Sequence, residues 1–232
     1  MTGGSRGIGR AIVERLTSDG AEVVFGYEHS TQAAEQVAKE TGAHAVRADL
    51  GRREDLDRLL AEARERLPGI DILVNNAAIT GQKALTDVTD DDYERVFAVN
   101  TRAVYLAMQW AARAMRDGGR IITLSTVNTA VPAPGLTLYC GSKGAVEQFT
   151  KVAARELGGR GITVNIVSAG ATDTDLLRGT NPPEALERTA TFTALQRLGE
   201  PDDVAAVVAF LAGPDGRWVT GQNLHASGGL IV

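Results

Sequence analysis

The chain alternates short β-rich runs with longer segments of helical period, and no other feature of the sequence constrains its fold as strongly. Apolar and β-branched residues fill the short runs, whereas apolar residues recur every three or four positions in the longer segments. Successive parallel strands need a crossover, which is usually a helix. The alternation therefore predicts an α/β fold, a doubly wound parallel sheet with helices on both faces. With 232 residues, 44% of them apolar, we expect one domain spanning residues 1–232.

The predicted strands cover residues 22–27, 43–49, 71–75, 120–125, 163–168 and 223–226. The predicted helices cover residues 8–18, 31–40, 53–66, 90–115, 138–157 and 202–211. Some helix starts carry local signals: Thr89 is followed three residues later by Asp92, and Pro201 opens the last helix. Residues 175–198 contain Pro182-Pro183 and only a weak helical pattern, which predicts a lid over a site rather than a domain linker.

Charge and cysteine content argue against several classes of function. The formal net charge is −5, and no basic run is longer than Arg52-Arg53, so nothing predicts nucleic-acid binding. One cysteine, Cys140, excludes an internal disulfide framework, and the three histidines lack metal-ligand spacing, so we expect no metal and a cytoplasmic protein. No apolar run approaches the ~18 residues that span a bilayer, and we expect neither a membrane segment nor a secretion leader.

A glycine-rich segment opens the chain and leads directly into the first predicted helix. Gly3, Gly7 and Gly9 fall within it. Such a turn brings backbone N–H groups close to a pyrophosphate, and the helix dipole favours the negative charge. The spacing differs from the commoner G-x-G-x-x-G, and glycine turns before helices are frequent. On these residues alone, an ordinary loop is as good an interpretation as a phosphate site.

The strand that should precede this turn is missing from the sequence. In a doubly wound sheet the glycine turn follows the first, central strand, but only Met1 and Thr2 come before Gly3. Omitting a central strand would expose two rows of backbone groups. We expect the natural chain to begin about half a dozen residues earlier. In that hypothesis Met1 occupies a valine position whose GTG codon was taken as a start, which upstream in-frame β-branched codons would support and an immediate stop codon would contradict.

Tyr139 and Lys143 form a second candidate for chemistry. They are four residues apart, so they share one face of a predicted helix. An ammonium held near a phenol favours the phenolate and lowers the tyrosine pKa, which suits proton exchange near neutral pH. An ordinary Tyr/Lys pair on an amphipathic helix would have the same spacing.

Five segments in one order extend this pattern to the whole chain. They are TGGSRGIG at residues 2–9, NNAA at residues 75–78, Asn100, STVN ahead of Tyr139-x-x-x-Lys143, and RLGEPDDVA at residues 197–205. Together they resemble the short-chain dehydrogenase/reductase family, which includes the 3-oxoacyl-carrier-protein reductases. The resemblance runs from Thr2 to the last predicted strand and implies a Rossmann-type fold with its first strand truncated.

The resemblance implies catalytic roles for four residues. Tyr139 matches the family's proton donor, and Lys143 matches the residue that lowers the tyrosine pKa and bonds the nicotinamide ribose. Asn100 matches the residue that positions a water relay behind that lysine. The family's serine, thirteen residues before the tyrosine, falls on Thr126, which keeps a hydroxyl able to orient a substrate oxygen. Ser125 remains the alternative donor, because adjacent strand residues face opposite sides.

The resemblance also implies a dinucleotide site and no metal. Its cofactor-binding residues are Gly3, Ser5, Arg6, Gly7, Ile8, Gly9, Asp49, Leu50, Asn75, Ala77, Tyr139, Lys143, Gly170, Thr172 and Thr174. The pyrophosphate would contact the first glycine turn. The adenine would contact Asp49 and Leu50, and the adenosine ribose would contact Asn75 and Ala77.

Three residues bear on which cofactor is bound. Where NADH-preferring relatives commonly carry an acid at the end of the second strand, this chain has Gly26. Arg6 can pair with a 2′-phosphate, whereas Glu28, two residues beyond Gly26, argues for NAD(H). We expect NADP(H) to be favoured over NAD(H).

The implied function is an NADP(H)-dependent oxidoreductase that reduces a ketone or oxidises a secondary alcohol. A 3-oxoacyl thioester is the first substrate to consider, and the resemblance implies a homotetramer or homodimer. Two alternatives stay open: an NAD(P)-binding regulatory protein without turnover, and a lyase or epimerase on the same scaffold. Replacing Tyr139 by Phe distinguishes the oxidoreductase from the regulatory protein, because only an enzyme would lose turnover.

Overall fold

A computed structural model describes residues 1–231 and has the predicted α/β architecture. Its strands are β1 Val24–Tyr27, β2 His44–Arg47, β3 Ile70–Asn75, β4 Met115–Thr126, β5 Thr163–Ala169 and β6 Asn223–Ala226. Its helices are α1 Gly7–Ser18, α2 Thr31–Thr41, α3 Arg53–Arg66, α4 Asp90–Phe97, α5 Ala103–Ala114, α6 Thr137–Leu157, α7 Asp175–Thr180, α8 Pro183–Phe192 and α9 Pro201–Ala212. None of the helices within residues 1–231 combines the length and apolar character needed to cross a membrane.

The strands pair in parallel in two groups. β1 pairs with β2, and β3, β4, β5 and β6 pair in that spatial order. In the register of the larger group, Ile121 of β4 lies between Leu73 of β3 and Val164 of β5. Parallel pairing brings the carboxyl ends of the strands to one edge of the sheet, which is where ligands bind in folds of this class.

Met1 and Thr2 occupy the place between the two groups of strands. Thr2 forms parallel bridges to Gly26 of β1 and to Asn75 of β3. The Thr2 N–H donates to the Val74 carbonyl at 3.0 Å, and the Gly26 N–H donates to the Met1 carbonyl at 2.9 Å. Two residues therefore stand where a doubly wound sheet has its central strand.

The sheet is open beyond these two residues. A crevice of about 400 Å³ lies at the start of β1, with Val23, Val24 and Leu67 in its walls. The Met1 ammonium donates to the Val24 carbonyl at 2.6 Å, and burial lowers the pKa of this amine to about 5. Ile72 of β3 packs against the core but stays partly exposed.

The core lies on both faces of the larger group of strands. Ile121 is fully buried among residues of α3, α5 and α6, whereas its neighbour Ile122 is buried among residues of α1 and α9. Adjacent strand residues point to opposite faces, so a strand covered on both sides needs apolar residues in succession. This double covering fixes the end of β4, which carries Ser125 and Thr126 into the site.

The main correction concerns the predicted helix over residues 90–115. The structure divides it into α4, a π-helical turn at Ala98–Arg102, and α5, and Met115 already belongs to β4. The turn carries Asn100, whose side chain is held by the backbone of Ile79, a contact between residues distant in sequence. Residues 175–198 fold into α7 and α8, which is more helix than the sequence predicts.

Candidate active site

A cavity of about 630 Å³ opens at the carboxyl ends of the strands. The glycine turn before α1, the end of β4, the start of α6 and helix α7 supply its walls. It brings together most of the predicted site residues: Gly3, Ser5, Arg6, Gly7, Ile8, Gly9, Leu50, Ala77, Thr126, Tyr139, Lys143, Gly170, Thr172 and Thr174. Segments far apart in sequence therefore meet in one concave site.

Three predicted site residues do not line this cavity. Asn75 is buried behind it, where its Nδ2 donates to Thr123 Oγ1 at 3.3 Å and its Oδ1 has no partner among the described residues. Asn100 is fully buried. Asp49 follows Ala48 and precedes Leu50, which both line the cavity, but its own side chain forms an ion pair with Arg95. The lining residues beside Asn75 are Asn76 and Ala77.

The glycine turn has the geometry of a cradle for an anion. Gly3 and Gly7 adopt φ values of +71° and +51°, a left-handed conformation that favours glycine. A Cβ atom added to Gly9 would lie 1.8 Å from the Gly3 carbonyl oxygen, so only glycine allows this close approach. Arg6 precedes α1 without a side-chain cap, which leaves the first N–H groups of the helix to other acceptors. A pyrophosphate at this helix N-terminus fits the turn.

The two hydroxyls at the end of β4 have different partners. Ser125 Oγ donates to Glu147 Oε1 at 2.6 Å, whereas Thr126 Oγ1 donates to Asn128 Oδ1 at 3.0 Å. The Thr126 hydroxyl also lies close enough to the Tyr139 hydroxyl to lower the pKa of Tyr139. Thr126 is therefore the hydroxyl next to Tyr139, while Ser125 is engaged by a carboxylate.

Tyr139 and Lys143 lie one turn apart on α6, as their spacing predicts. Lys143 Nζ is 5.9 Å from the centre of the Tyr139 ring and donates to the Leu124 carbonyl at 2.7 Å. Burial raises the pKa of Tyr139 to about 12, although the nearby Thr126 hydroxyl lowers it. This direction is opposite to the sequence-based expectation, because desolvation outweighs the other influences and the ammonium is bound to a carbonyl instead.

Lys143 is itself almost completely buried. Burial lowers its pKa to about 8, and the charge of Glu147 acts in the opposite direction. Glu147 also accepts a hydrogen bond from Thr129 at 2.9 Å, so one carboxylate organises several polar groups beneath the site. The sequence carried a signal for this residue, since Glu147 follows Lys143 at the same four-residue spacing.

Asn100 fixes the loop that follows β3. Its Oδ1 accepts from the Ile79 N–H at 2.9 Å, and its Nδ2 donates to the Ile79 carbonyl at 2.8 Å and to Ser142 Oγ at 3.1 Å. Ser142 precedes Lys143, so Asn100 joins the cavity wall to α6. The π-helical turn supplies the position for this side chain, and such turns are frequent at functional sites.

Comparisons with known proteins agree with this arrangement. The family model described as enoyl-(acyl carrier protein) reductase matches residues 3–231. Versicolorin reductase 1 from Aspergillus parasiticus is 39% identical over 247 residues, which cover 99% of this chain and 94% of that protein.

Two solved structures have nearly the same fold. A short-chain dehydrogenase from Burkholderia cenocepacia, in complex with NADP, is 42% identical with a TM-score of 0.92, over 99% of this chain and 95% of that one. The angucycline C-6 ketoreductase LanV, with bound NADP, is 41% identical with a TM-score of 0.91, over 99% and 93%. The chain belongs to the short-chain dehydrogenase/reductase family of oxidoreductases.

Proposed function

We propose that this protein is an NADP(H)-dependent oxidoreductase that reduces a ketone, or oxidises the corresponding secondary alcohol. The observation that carries the proposal is that the side chains of Thr126, Tyr139 and Lys143 lie together on the wall of a cavity that also contains a glycine cradle. Both related structures described above hold NADP.

The cavity residues divide between holding the cofactor and handling a proton. When bound, NADPH supplies a hydride to the carbonyl carbon. The α1 N-terminus, the glycine turn and the Thr174 hydroxyl would hold the pyrophosphate, and the backbone near Thr172 would hold the nicotinamide carboxamide. These two residues lie on the wall that follows β5.

In the reductive direction, Tyr139 donates its proton to the substrate oxygen. A pKa of about 12 keeps this phenol protonated at neutral pH, which is the state that reduction needs. Thr126 would turn its hydroxyl from Asn128 Oδ1 to the substrate oxygen and donate a second hydrogen bond that orients it. Lys143, with a pKa of about 8, is largely protonated at pH 7 and would stabilise the phenolate that remains. Asn100 is a positioning residue that supports proton supply behind Lys143.

The substrate we propose is a ketone between largely apolar groups. Leu176 and Leu177 of α7, Val127 and Pro134 line the cavity near Tyr139 and provide an apolar surface. A 3-oxoacyl thioester is the first candidate. The relatives named versicolorin reductase 1 and angucycline C-6 ketoreductase make a polycyclic ketone the second compound to test.

The experiment compares the wild-type chain with Tyr139→Phe. NADPH oxidation is measured with both ketone classes, and NADP⁺ binding is measured by calorimetry. We expect Tyr139→Phe to lose at least ~10²-fold in turnover, since general acid catalysis contributes about that much. It should still bind NADP⁺, with an affinity lowered by no more than a few-fold, because the other cofactor-binding residues are unchanged. Equal activity in both proteins would contradict the role of Tyr139. Binding without turnover in the wild type would favour a regulatory protein, and product formed without net NADPH oxidation would favour a lyase or epimerase.

We also propose a homotetramer. Tyr105 of α5 and Val152 of α6 are 47% and 57% exposed, and Phe210 of α9 and Trp218 form a second exposed group, with Trp218 96% exposed. Two apolar surfaces on different helices suit the two interfaces of a dihedral tetramer. We expect Val152→Lys and Trp218→Lys each to reduce the mass measured by light scattering, and a monomeric wild type would contradict the proposal.

A further inference from the structure

An acidic side chain, Glu28, stands where the glycine turn meets β1. The N–H groups of Gly3 and Gly4 donate to the Gly26 carbonyl at 2.9 and 3.0 Å, so the turn abuts the end of β1. Glu28 follows two residues later and lines the cavity, as does Arg95 of α4. An unpaired carboxylate at this place would repel a phosphate group on the adenosine ribose.

Arg95 joins Glu28 to a second carboxylate. Its Nη2 donates to Glu28 Oε1 at 2.9 Å, and its Nη1 donates to Asp49 Oδ1 at 2.7 Å. Burial lowers the pKa of Arg95, but the hydrogen bonds and charges of Asp49 and Glu28 outweigh burial and raise it overall. The three side chains are only 26–40% exposed, so their attraction is less screened than that of a pair at the open surface.

One helix therefore ties together the loops that follow β1 and β2. The arrangement holds the Glu28 carboxylate on a guanidinium that it shares with Asp49, so the three side chains carry a net charge of −1 instead of the −2 that they would carry without Arg95. Arg6, on the other side of the glycine turn, is exposed and lines the same cavity, so a cation remains there for an anionic ligand.

We propose that Arg95 is a specificity-determining residue: by offsetting part of the negative charge of Glu28 and Asp49 it allows a ribose 2′-phosphate at the end of β1 and so favours NADP(H) over NAD(H). This role rests on the NADP(H)-dependent function proposed above. NAD(H) has no 2′-phosphate, and a released Glu28 could accept hydrogen bonds from its ribose hydroxyls. Loss of Arg95 should therefore weaken the binding of NADP(H) and leave the binding of NAD(H) unchanged or tighter.

The test is calorimetric titration of the purified chain and its variants with NADP⁺ and, separately, with NAD⁺. In Arg95→Met, which keeps much of the apolar stem, we expect the Kd for NADP⁺ to rise about tenfold or more, while the Kd for NAD⁺ stays the same or falls. Adding Glu28→Gln to Arg95→Met should bring NADP⁺ binding back to within about threefold of wild type, because the two sites are coupled.

One control and one further variant complete the test. Arg15→Met removes a cation from an ion pair with Asp19 at the far end of α1 and should change neither Kd. Glu28→Gln alone, which keeps Arg95, should tighten NADP⁺ binding, because the guanidinium then has one carboxylate partner fewer. This variant provides a result even if Arg95→Met does not fold.

The outcomes separate the two proposals. Equal weakening of both cofactors in Arg95→Met without rescue by Glu28→Gln would overturn the role of Arg95, because a residue that only braces two loops behaves in that way. Unchanged or weaker NADP⁺ binding in Glu28→Gln alone would overturn it too, since the charge of Glu28 would then not act on the 2′-phosphate. A wild-type chain that binds neither cofactor would overturn the proposed function itself, and the role of Arg95 with it.

Discussion

Thr126 and Ser125 are neighbours in β4, yet their hydroxyls have opposite surroundings. Thr126 contacts Tyr139, and Ser125 contacts Glu147. We expect Thr126→Val to lower kcat/KM by about tenfold to a hundredfold, because it removes a donor to the substrate oxygen. Thr126→Ser should stay within a few-fold of wild type, and Ser125→Ala should lose less than Thr126→Val. A larger loss in Ser125→Ala, measured with the same ketone, would reverse the assignment.

The buried Lys143 gives the protein a pH-dependent stability. Its pKa falls from 10.5 to about 8 on folding, so between those values the unfolded chain binds more protons than the folded one. Stability from this group therefore rises as the pH increases through that window. From pH 7 to pH 9.5, the free energy of unfolding of the wild type should gain roughly 2 kcal/mol relative to Lys143→Met.

Urea unfolding of both proteins at the two pH values measures this difference. The comparison with Lys143→Met cancels the other titrating groups, including Tyr139, whose raised pKa acts only at higher pH. An unchanged difference between wild type and variant would show that Lys143 titrates normally in the folded protein. Lys143→Met should also lose turnover, because it removes the cation near Tyr139.

Residues whose partners are close in sequence were the easiest to predict. The four-residue spacing of Tyr139 and Lys143 places them on one helix face, and the closely spaced glycines before α1 predict a tight backbone turn. Arg95 contacts Glu28 and Asp49, 67 and 46 residues away, and no local pattern indicates those ion pairs. The sequence also did not predict the raised pKa of Tyr139, since the direction of that shift depends on burial in the folded chain.

The elements follow the same rule. Predicted helix 53–66 and strand 223–226 agree with α3 and β6 at both ends. β4 starts at Met115, five residues before its predicted start, because Met115 pairs with Ile70 across the sheet. The break between α4 and α5 depends on Asn100 and its contact with Ile79. Strand pairing and tertiary hydrogen bonds therefore decided the boundaries that helical periodicity missed.

The contact between α1 and the glycine turn yields a prediction at this scale. Gly9→Ala would place a methyl group against the Gly3 carbonyl, so the turn must move. We expect this variant to lose NADP⁺ binding by about tenfold or more and to unfold at a lower temperature. Gly144→Ala is the matched control, because no atom lies within 4 Å of its added Cβ, and it should keep wild-type affinity. Wild-type binding by Gly9→Ala would contradict the cradle.

At the scale of the whole molecule, the sheet is continuous only through Met1 and Thr2. A crevice of about 400 Å³ lies at the start of β1, and Ile72 of β3 is partly exposed. A fused segment of about five β-branched residues ahead of Met1 should pair with both strands and cover these apolar groups. We expect it to raise the melting temperature by at least about 4 °C.

A fused segment of the same length that alternates proline and glycine is the control for this extension. Proline cannot donate to the strand ladder, so this segment should give little or no stabilisation. Differential scanning calorimetry of the two fusions and the unmodified chain makes the comparison. Equal melting temperatures for both fusions would show that the gap between β1 and β3 does not accept a strand.

The central claim is hydride transfer between a nicotinamide and a carbonyl carbon, and isotope transfer tests it most directly. The wild-type chain is incubated with a reducible ketone and NADPH that carries deuterium at the transferable C4 position, and the alcohol is examined by mass spectrometry. The account predicts one deuterium on the carbinol carbon of each product molecule, and it predicts that Tyr139→Phe forms little product but labels it at the same carbon. Product that contains no deuterium would contradict it.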